Sequence, residues 1–273
     1  MSVTEINRPA EAVATTAIAR HRAEAADLPP VRGQSFFLLV RTELRKSVNT
    51  RSGRVLLLAI LALALFAVGW QLTHLGDGRI TPEFFIGPTS TGVMLLLPVI
   101  GVMAMTSEWS QRTALTTFTL SPRRVRVQLA KFVSAIVLSV VVLTVTTLLA
   151  LAAIPVGGAI SGDGSTFAGL GGTLAGMYLT AALNVVMGAA FGAVLANTAV
   201  AIVVFFIAPT AWSLAGPALF KDNAQWLDVF GAFGRIAERD LNGMLPETLT
   251  ALTVWIVLPT IAGLWASSRR EVK

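Results

Sequence analysis

Long uncharged apolar segments alternate with short polar segments along most of the chain. A helix rises about 1.5 Å per residue, so roughly 20 mostly apolar residues cross a hydrocarbon core of about 30 Å. By this measure the pattern predicts an all-α fold with about six transmembrane helices, which we call spans one to six. They cover residues 55–75, 84–105, 132–156, 170–195, 199–219 and 249–265.

The boundary between spans four and five is inferred from length. Residues 164–220 contain no charged side chain, and as a single helix they would be about 85 Å long. The polar pair Asn197 and Thr198 is therefore predicted to form a tight turn between two spans. Span two contains Pro88 and Pro98, which bend or break a helix unless neighbouring groups bond the freed carbonyls.

Composition agrees with a membrane as the solvent, because 54% of residues are hydrophobic and only 13% are charged. The net charge of +6 could suggest nucleic acid. The basic residues instead cluster beside apolar runs, and no nucleic-acid module is recognisable. The absence of cysteine excludes disulfides and thiol chemistry, and His21 and His74 offer little for a metal. We therefore expect no catalytic, metal-binding or cofactor-binding residues.

The basic residues also predict the orientation. Seventeen of the 21 lysines and arginines fall in the N-terminal segment, the segment between spans two and three, and the C-terminus. Positive charge marks the cytoplasmic side. The expectation is a multi-pass protein of the cell inner membrane with both termini in the cytoplasm.

The N-terminal region divides into two parts. Residues 1–34 have little apolar periodicity and end at Pro29 and Pro30, so we expect a disordered cytoplasmic tail before a transmembrane domain at 35–273. Beyond the tail, several apolar side chains share one arc of a helical wheel while Arg41 and Arg45 lie outside it. This pattern favours an interfacial helix, and a plain linker remains the alternative. The apolar residues are Phe36, Phe37, Val40, Leu44 and Val48.

The segment between spans two and three is too polar to cross a membrane. Ser121 is a good N-cap and Pro122 fits the first position of a helix, so a helix is predicted to begin there and continue as span three. Before it, residues 108–120 place Trp109, Leu115, Phe118 and Leu120 among polar residues, which is consistent with a short amphipathic helix at the cytoplasmic surface. A topogenic, membrane-anchoring loop is the plainer interpretation.

The run Glu108, Arg112, Thr113, Leu120, Ser121, Pro122, Arg123 and Lys131 resembles the segment after the second helix in ABC-2-type transporter permeases. More loosely, the resemblance extends over residues 36–270. Arg112 departs from the small residue that often precedes the threonine. The resemblance implies an elbow helix before span one and a coupling helix that docks on a separate ATP-binding subunit. It also implies two permease subunits, alike or different, above two such ATPases. The implied coupling residues are Glu108, Arg112, Thr113, Leu115, Phe118, Ser121, Pro122, Arg123 and Arg124.

Span four carries a small or small polar residue at every fourth position, which lets another helix approach closely. Packing within the chain, a subunit interface and the lining of a substrate path all remain open. Asn184 is its only strongly polar side chain, and such a residue more often bonds a neighbouring helix than a ligand. The six positions are Gly172, Gly176, Thr180, Asn184, Gly188 and Gly192.

After span five, residues 221–247 mix charges with Trp226, Phe230, Phe233 and Ile236 at roughly helical spacing. This favours a helix that rests on the outer leaflet or dips back into it. The resembling family has short re-entrant helices here, thought to gate the outer mouth. An external loop with interfacial aromatic residues is the alternative.

Three functional classes compete. An ATP-driven exporter subunit needs no chemical apparatus of its own, in keeping with the lack of a GxxxxGK[ST] loop. An ion-coupled carrier would place ionisable residues within its spans, and none occurs in mid-span here. An intramembrane enzyme would need a catalytic pair or a metal cluster, which two distant histidines cannot supply. We expect the exporter subunit, with a carrier or a membrane scaffold as alternatives.

Overall fold

The computed structural model describes residues 35–76, 78–110 and 124–269, and all of its regular elements are helices. An N-terminal helix, Phe36–Asn49, precedes six helices that are long and apolar enough to cross a membrane. The prediction of six spans is therefore confirmed, and we keep their names. The spans are Arg51–Thr73, Pro82–Ser110, Arg124–Ser161, Leu170–Leu195, Thr198–Phe220 and the continuous stretch Leu245–Arg269.

The predicted turn between spans four and five is confirmed in detail. Span four ends at Leu195, and Ala196 adopts a left-handed conformation with φ of 50°. Asn197 then caps span five, because its side-chain oxygen accepts a hydrogen bond from Val200 N at 3.1 Å. One residue in the left-handed region and one N-cap are enough to reverse the chain.

Span three extends further at its C-terminal end than predicted. Its helix runs from Arg124 to Ser161, about 57 Å at 1.5 Å per residue, and passes through Pro155 instead of stopping at Val156. Ser121 and Pro122, the predicted start, lie outside the described residues. The helix continues at its far end because Gly157 and Gly158 lack side chains where Phe85 and the backbone of Gly164 approach.

Spans two and four form the centre of the bundle. Within an apolar stretch of 18 residues taken from each span, 50% of span two and 56% of span four are buried. The corresponding shares in spans one, five and six are 17%, 22% and 17%. Their backbones touch at glycines. A Cβ at Gly188 would overlap the carbonyl oxygen of Pro98, and one at Gly101 would overlap that of Val185. The outer spans leave large side chains such as Leu58 and Leu214 exposed, as the lipid-facing side of a membrane bundle does.

The two prolines of span two are matched by side-chain amides from other spans. Pro88 has no N–H for the carbonyl of Phe84, and Gln71 Nε2 in span one donates to that oxygen at 2.6 Å. Pro98 likewise frees the carbonyl of Met94, to which Asn184 Nδ2 donates at 3.2 Å. The helix remains continuous because both open acceptors have found donors.

This pairing predicts the effect of replacing Asn184 by leucine. The substitution should lower the free energy of unfolding by about 1 kcal/mol in the native background, because it leaves the Met94 carbonyl without a donor. In a Pro98→Ala background the helix supplies its own N–H, so the loss should shrink to near zero. A double-mutant cycle in mixed micelles measures both values, and equal losses in the two backgrounds would contradict the pairing.

The segment after span five folds back among the spans instead of lying beyond their ends. A 3₁₀ helix, Lys221–Leu227, is followed by a return helix, Val229–Glu238; together we call them the hairpin. Ala224 O accepts from Trp212 of span five, and Leu227 O accepts from Trp255, about 15 Å along span six from Leu245. These contacts favour the re-entrant alternative over an external loop.

The return helix runs antiparallel to span four, back toward the Leu170 end. The carbonyl of Phe233 accepts from Thr180 at 3.4 Å, and a Cβ at Gly176 would overlap the carbonyl oxygen of Ala237. At its other end the helix joins a buried apolar cluster in the middle of the bundle. The buried members of this cluster are Met187, Phe205, Val229, Phe233 and Ile256.

Candidate functional site

Four ionisable side chains meet where the N-terminal helix crosses the end of span two and the start of span three. We call Glu43, Lys46, Glu108 and Lys131 the charge cluster. Three of the four are buried, with relative exposures of 6% for Glu43, 4% for Glu108 and 0% for Lys131. Lysine and glutamate side chains are almost never fully buried unless they are paired with an opposite charge. This cluster is therefore the most unusual electrostatic feature of the described residues.

Lys131 is its centre. Its Nζ lies 2.8 Å from Glu43 Oε2 and 3.3 Å from Glu108 Oε1, and it donates to the carbonyl of Ala104 at 3.2 Å. The ammonium group thus donates to acceptors on two different helices, and the Glu108 carboxylate adds an ion pair. Lys131 therefore joins span three to the N-terminal helix and to span two at the same point.

Lys46 completes the cluster from the solvent side. Its Nζ lies 2.7 Å from Glu43 Oε1 and 3.2 Å from Glu108 Oε1, and its side chain is 43% exposed. Each glutamate therefore faces both lysines, and the cluster has no net charge. This balance matters because several kcal/mol are needed to bury each ion, and only close opposite charges and hydrogen bonds offset that cost.

The pKa shifts follow from the same geometry. Burial alone would raise the pKa of Glu43, but Lys131 and then Lys46 outweigh it, and the pKa falls below its ordinary value of 4.5. Burial alone would lower the pKa of Lys46, but Glu43 and Glu108 raise it above 10.5. Both charges are therefore favoured by the fold.

These directions define a pH window. Because folding lowers the pKa of Glu43, the stability it contributes is present above 4.5 and is lost as the pH falls through the lower folded value. Because folding raises the pKa of Lys46, its contribution is present below 10.5 and is lost as the pH rises through the higher folded value. Both side chains remain charged near neutral pH, so they act as a structural lock and not as a proton switch.

The residues implied as the coupling segment are only partly within the described chain. Glu108 lies in the charge cluster, and Arg124 is the first residue of the span three helix. Glu108 thus directly precedes residues 109–123, and Lys131 follows them by eight residues, within the first turns of span three. The other predicted residues lie outside the described residues; they are Arg112, Thr113, Leu115, Phe118, Ser121, Pro122 and Arg123.

The six stripe residues of span four contact two different elements of the same chain. Gly188 and Gly192 face the backbone of span two around Pro98 and Val102, and Asn184 bonds Met94. Toward the Leu170 end, the stripe faces the hairpin. Gly172 lies against Arg239, Gly176 against Ala237, and Thr180 against Phe233.

The sequence interpretation missed Glu43, Lys46 and Lys131 as site residues, although a signal for Glu43 was available. Glu43 lies at the edge of the apolar arc formed by Phe36, Val40 and Leu44. An acid on the buried side of a helix requires a cation, and Lys131 is the only lysine in residues 106–131.

Within the described ranges, no group of three or more His, Asp or Glu side chains is placed to hold a metal ion. A comparison with protein-family models gives no match, and a comparison with curated proteins gives none either. Any functional assignment therefore depends on the geometry and on the resemblance of the segment between spans two and three.

Proposed function

We propose that this chain is the membrane-spanning permease subunit of an ATP-binding cassette transporter, an exporter powered by a separate ATPase subunit. The observation that carries the proposal is the charge cluster, which ties the N-terminal helix to Glu108, directly before residues 109–123, and to Lys131, eight residues after them. A partner that moved this segment would displace the ends of spans two and three and the N-terminal helix together.

The helix contacts around the charge cluster would allow such a displacement to be passed on. Interior packing is stiff, so a displacement at one face is passed on through packed side chains. The route from the cluster leads through span two, whose backbone contacts span four at Gly101 and Gly188. Span four in turn contacts the hairpin at Gly176. Motion at the N-terminal end of the bundle thus has a contiguous path to its opposite end.

The distribution of charge favours this proposal over an ion-coupled carrier. A carrier needs an ionisable group that binds and releases its ion inside the membrane. Residues 132–162 and 164–220 contain none. The buried ionisable groups of the cluster are grouped at one end of the spans, and each carboxylate faces two lysines.

The proposal includes the arrangement in the membrane. The protein would lie in the cell inner membrane with both termini in the cytoplasm, since most basic residues flank that side. Thiol labelling of single cysteines at positions 124 and 163 in intact cells tests this orientation. A second permease subunit, identical or similar, would complete the transport path.

The docking test replaces Leu115 and Phe118 by aspartate in a tagged full-length chain. If these side chains anchor the ATPase, the ATPase activity that co-purifies with the chain should fall at least about fivefold, because a buried apolar contact is worth over 1 kcal/mol. Glu108 is unsuitable for this test, since its loss would disrupt the charge cluster.

The control is Phe167→Asp, which places one aspartate on an exposed aromatic residue at the opposite end of the spans. It should retain the co-purified activity. Equal activity in both preparations would contradict the docking role of the segment. Hydrolysis of ATP by the isolated chain would contradict the whole proposal, because the chain would then not need a separate ATPase.

A further inference from the structure

The N-terminal helix and the first turn of span one carry four exposed arginines. Within the described residues, none of their guanidinium groups forms an ion pair or a side-chain hydrogen bond. Glu43 is the only acidic residue between positions 35 and 54, and its carboxylate is already bonded to Lys131 and Lys46. The described chain therefore leaves these four positive charges without a counter-charge. We call Arg41, Arg45, Arg51 and Arg54 the arginine patch.

The N-terminal helix has one face packed against the bundle and another face that is exposed. Val40 and Glu43 are buried on the packed face. Arg41 and Arg45 are exposed and four residues apart, so they lie one above the other on the same side of the helix. Phe37, about 40° from Arg41 around the helix axis, is 78% exposed. An apolar side chain beside two arginines suits a helix at a membrane surface, with the guanidinium groups at the level of the lipid headgroups.

A tight corner joins this helix to span one and fixes the shape of the patch. Thr50 caps span one by accepting a hydrogen bond from Gly53 N at 3.2 Å. A Cβ at Gly53 would overlap the carbonyl oxygen of Ser47, so the end of one helix touches the start of the next. Two patch arginines precede this corner and two follow it. The exposed apolar surface of span one begins with Val55, directly after Arg54. The patch therefore lies where the polar and the apolar surfaces of the protein meet.

We propose that the arginine patch binds the phosphate groups of anionic phospholipids in the leaflet that holds the N-terminal helix. Four or more basic residues beside a transmembrane helix or on an amphipathic helix attract anionic lipids. Arginine suits a phosphate because its planar group can donate two parallel hydrogen bonds. The adjoining Phe37 and Val55 favour a lipid over a soluble acidic partner, because a lipid offers phosphate and hydrocarbon together. Since Glu43 lies on the same helix, bound lipids also hold that residue at the charge cluster.

This inference goes beyond the proposed function and can be tested without ATP, a partner or transport. The chain has no cysteine, so Val48→Cys attaches a single fluorophore to an exposed position of the N-terminal helix. The full chain is placed in nanodiscs of equal parts phosphatidylglycerol and phosphatidylcholine, with brominated acyl chains on one lipid or the other. Bromine quenches fluorescence on contact, so the two quenching values give the local lipid ratio. Phosphatidylglycerol should be enriched at least about fivefold beside the helix, the effect of one basic residue at an anionic surface.

Two comparisons separate the patch from net charge. Arg41→Gln with Arg45→Gln should lower the enrichment at least about threefold. The matched control, Arg79→Gln with Arg269→Gln, removes the same charge from exposed positions elsewhere and should leave the enrichment nearly unchanged. In the unsubstituted patch, about 1 M salt should also abolish most of the enrichment, because it screens exposed charges beyond about 3 Å.

Equal levels of the two lipids beside the unsubstituted patch would overturn the proposal and leave the arginines to an acidic protein partner. Equal losses in the two glutamine pairs would overturn it as well, because the preference would then follow net charge and not the patch. So would an enrichment that neither salt nor the loss of Arg41 and Arg45 reduces.

Discussion

Replacing Lys131 by methionine is expected to lower the free energy of unfolding by about 3–5 kcal/mol, the usual consequence of removing one partner from a buried ion pair. Methionine fills much of the same space, so the loss is electrostatic. Glu43 and Glu108 would be left facing each other with only the half-exposed Lys46 between them. Unfolding in mixed micelles, followed by tryptophan fluorescence, measures the change.

The matched control is Lys46→Met in the same cluster. Because Lys46 is 43% exposed, solvent screens its pairs, and the loss should stay near or below about 1 kcal/mol. The double variant Glu43→Gln with Lys131→Met removes one charge of each sign and should recover part of the loss. If Lys131→Met were no more destabilising than Lys46→Met, the cluster would not be the buried lock described above.

The second large effect is expected at the crossing of spans two and four. Gly101→Val should cost about 3 kcal/mol, because its Cβ would overlap the carbonyl oxygen of Val185 and lie 2.8 Å from Ala189 N. Backbone atoms cannot rotate away as a side chain can. The two helices would therefore have to separate, which also weakens the bond from Asn184 to Met94.

Gly69→Val in span one is the control for this substitution. It makes the same change of residue within a helix, but nothing lies within 4 Å of the Cβ position at Gly69. Both variants therefore carry the same cost of helix propensity. The difference between their unfolding free energies measures the steric cost at the crossing of spans two and four. Equal losses at positions 69 and 101 would mean that spans two and four are farther apart than described.

The spans could be predicted because the length of an apolar segment and its lack of charged residues can be read directly from the sequence. The turn at Asn197 could be located for the same reason, since it was the only polar break in a segment too long for one crossing. The charge cluster could not be predicted as a unit. Glu43 and Lys131 are separated by 88 positions, and no local pattern says which cation a buried acid will meet.

The hairpin shows a different limit. The aromatic spacing predicted a helix after span five, and the return helix contains Phe233 and Ile236 as expected. Whether it lay outside the spans or among them depended on the space left by Gly172 and Gly176, which belong to another helix. The sequence predicts the stripe of small residues on span four but not the element that packs against it. A glycine indicates that another backbone comes close, but it does not indicate which one.

The carbonyls freed by the prolines of span two also impose an order on biosynthesis. Gln71 precedes Phe84 by 13 residues, so its amide has already emerged when that carbonyl is made. Asn184 follows Met94 by 90 residues, which at ribosomal rates of about 5–20 residues per second is a delay of roughly 5–20 s. During that interval the Met94 carbonyl lacks the donor that it has in the folded chain. The hydrogen bond that compensates for Pro98 therefore forms only after span four has been synthesised, whereas the one that compensates for Pro88 can form while span two is still being made.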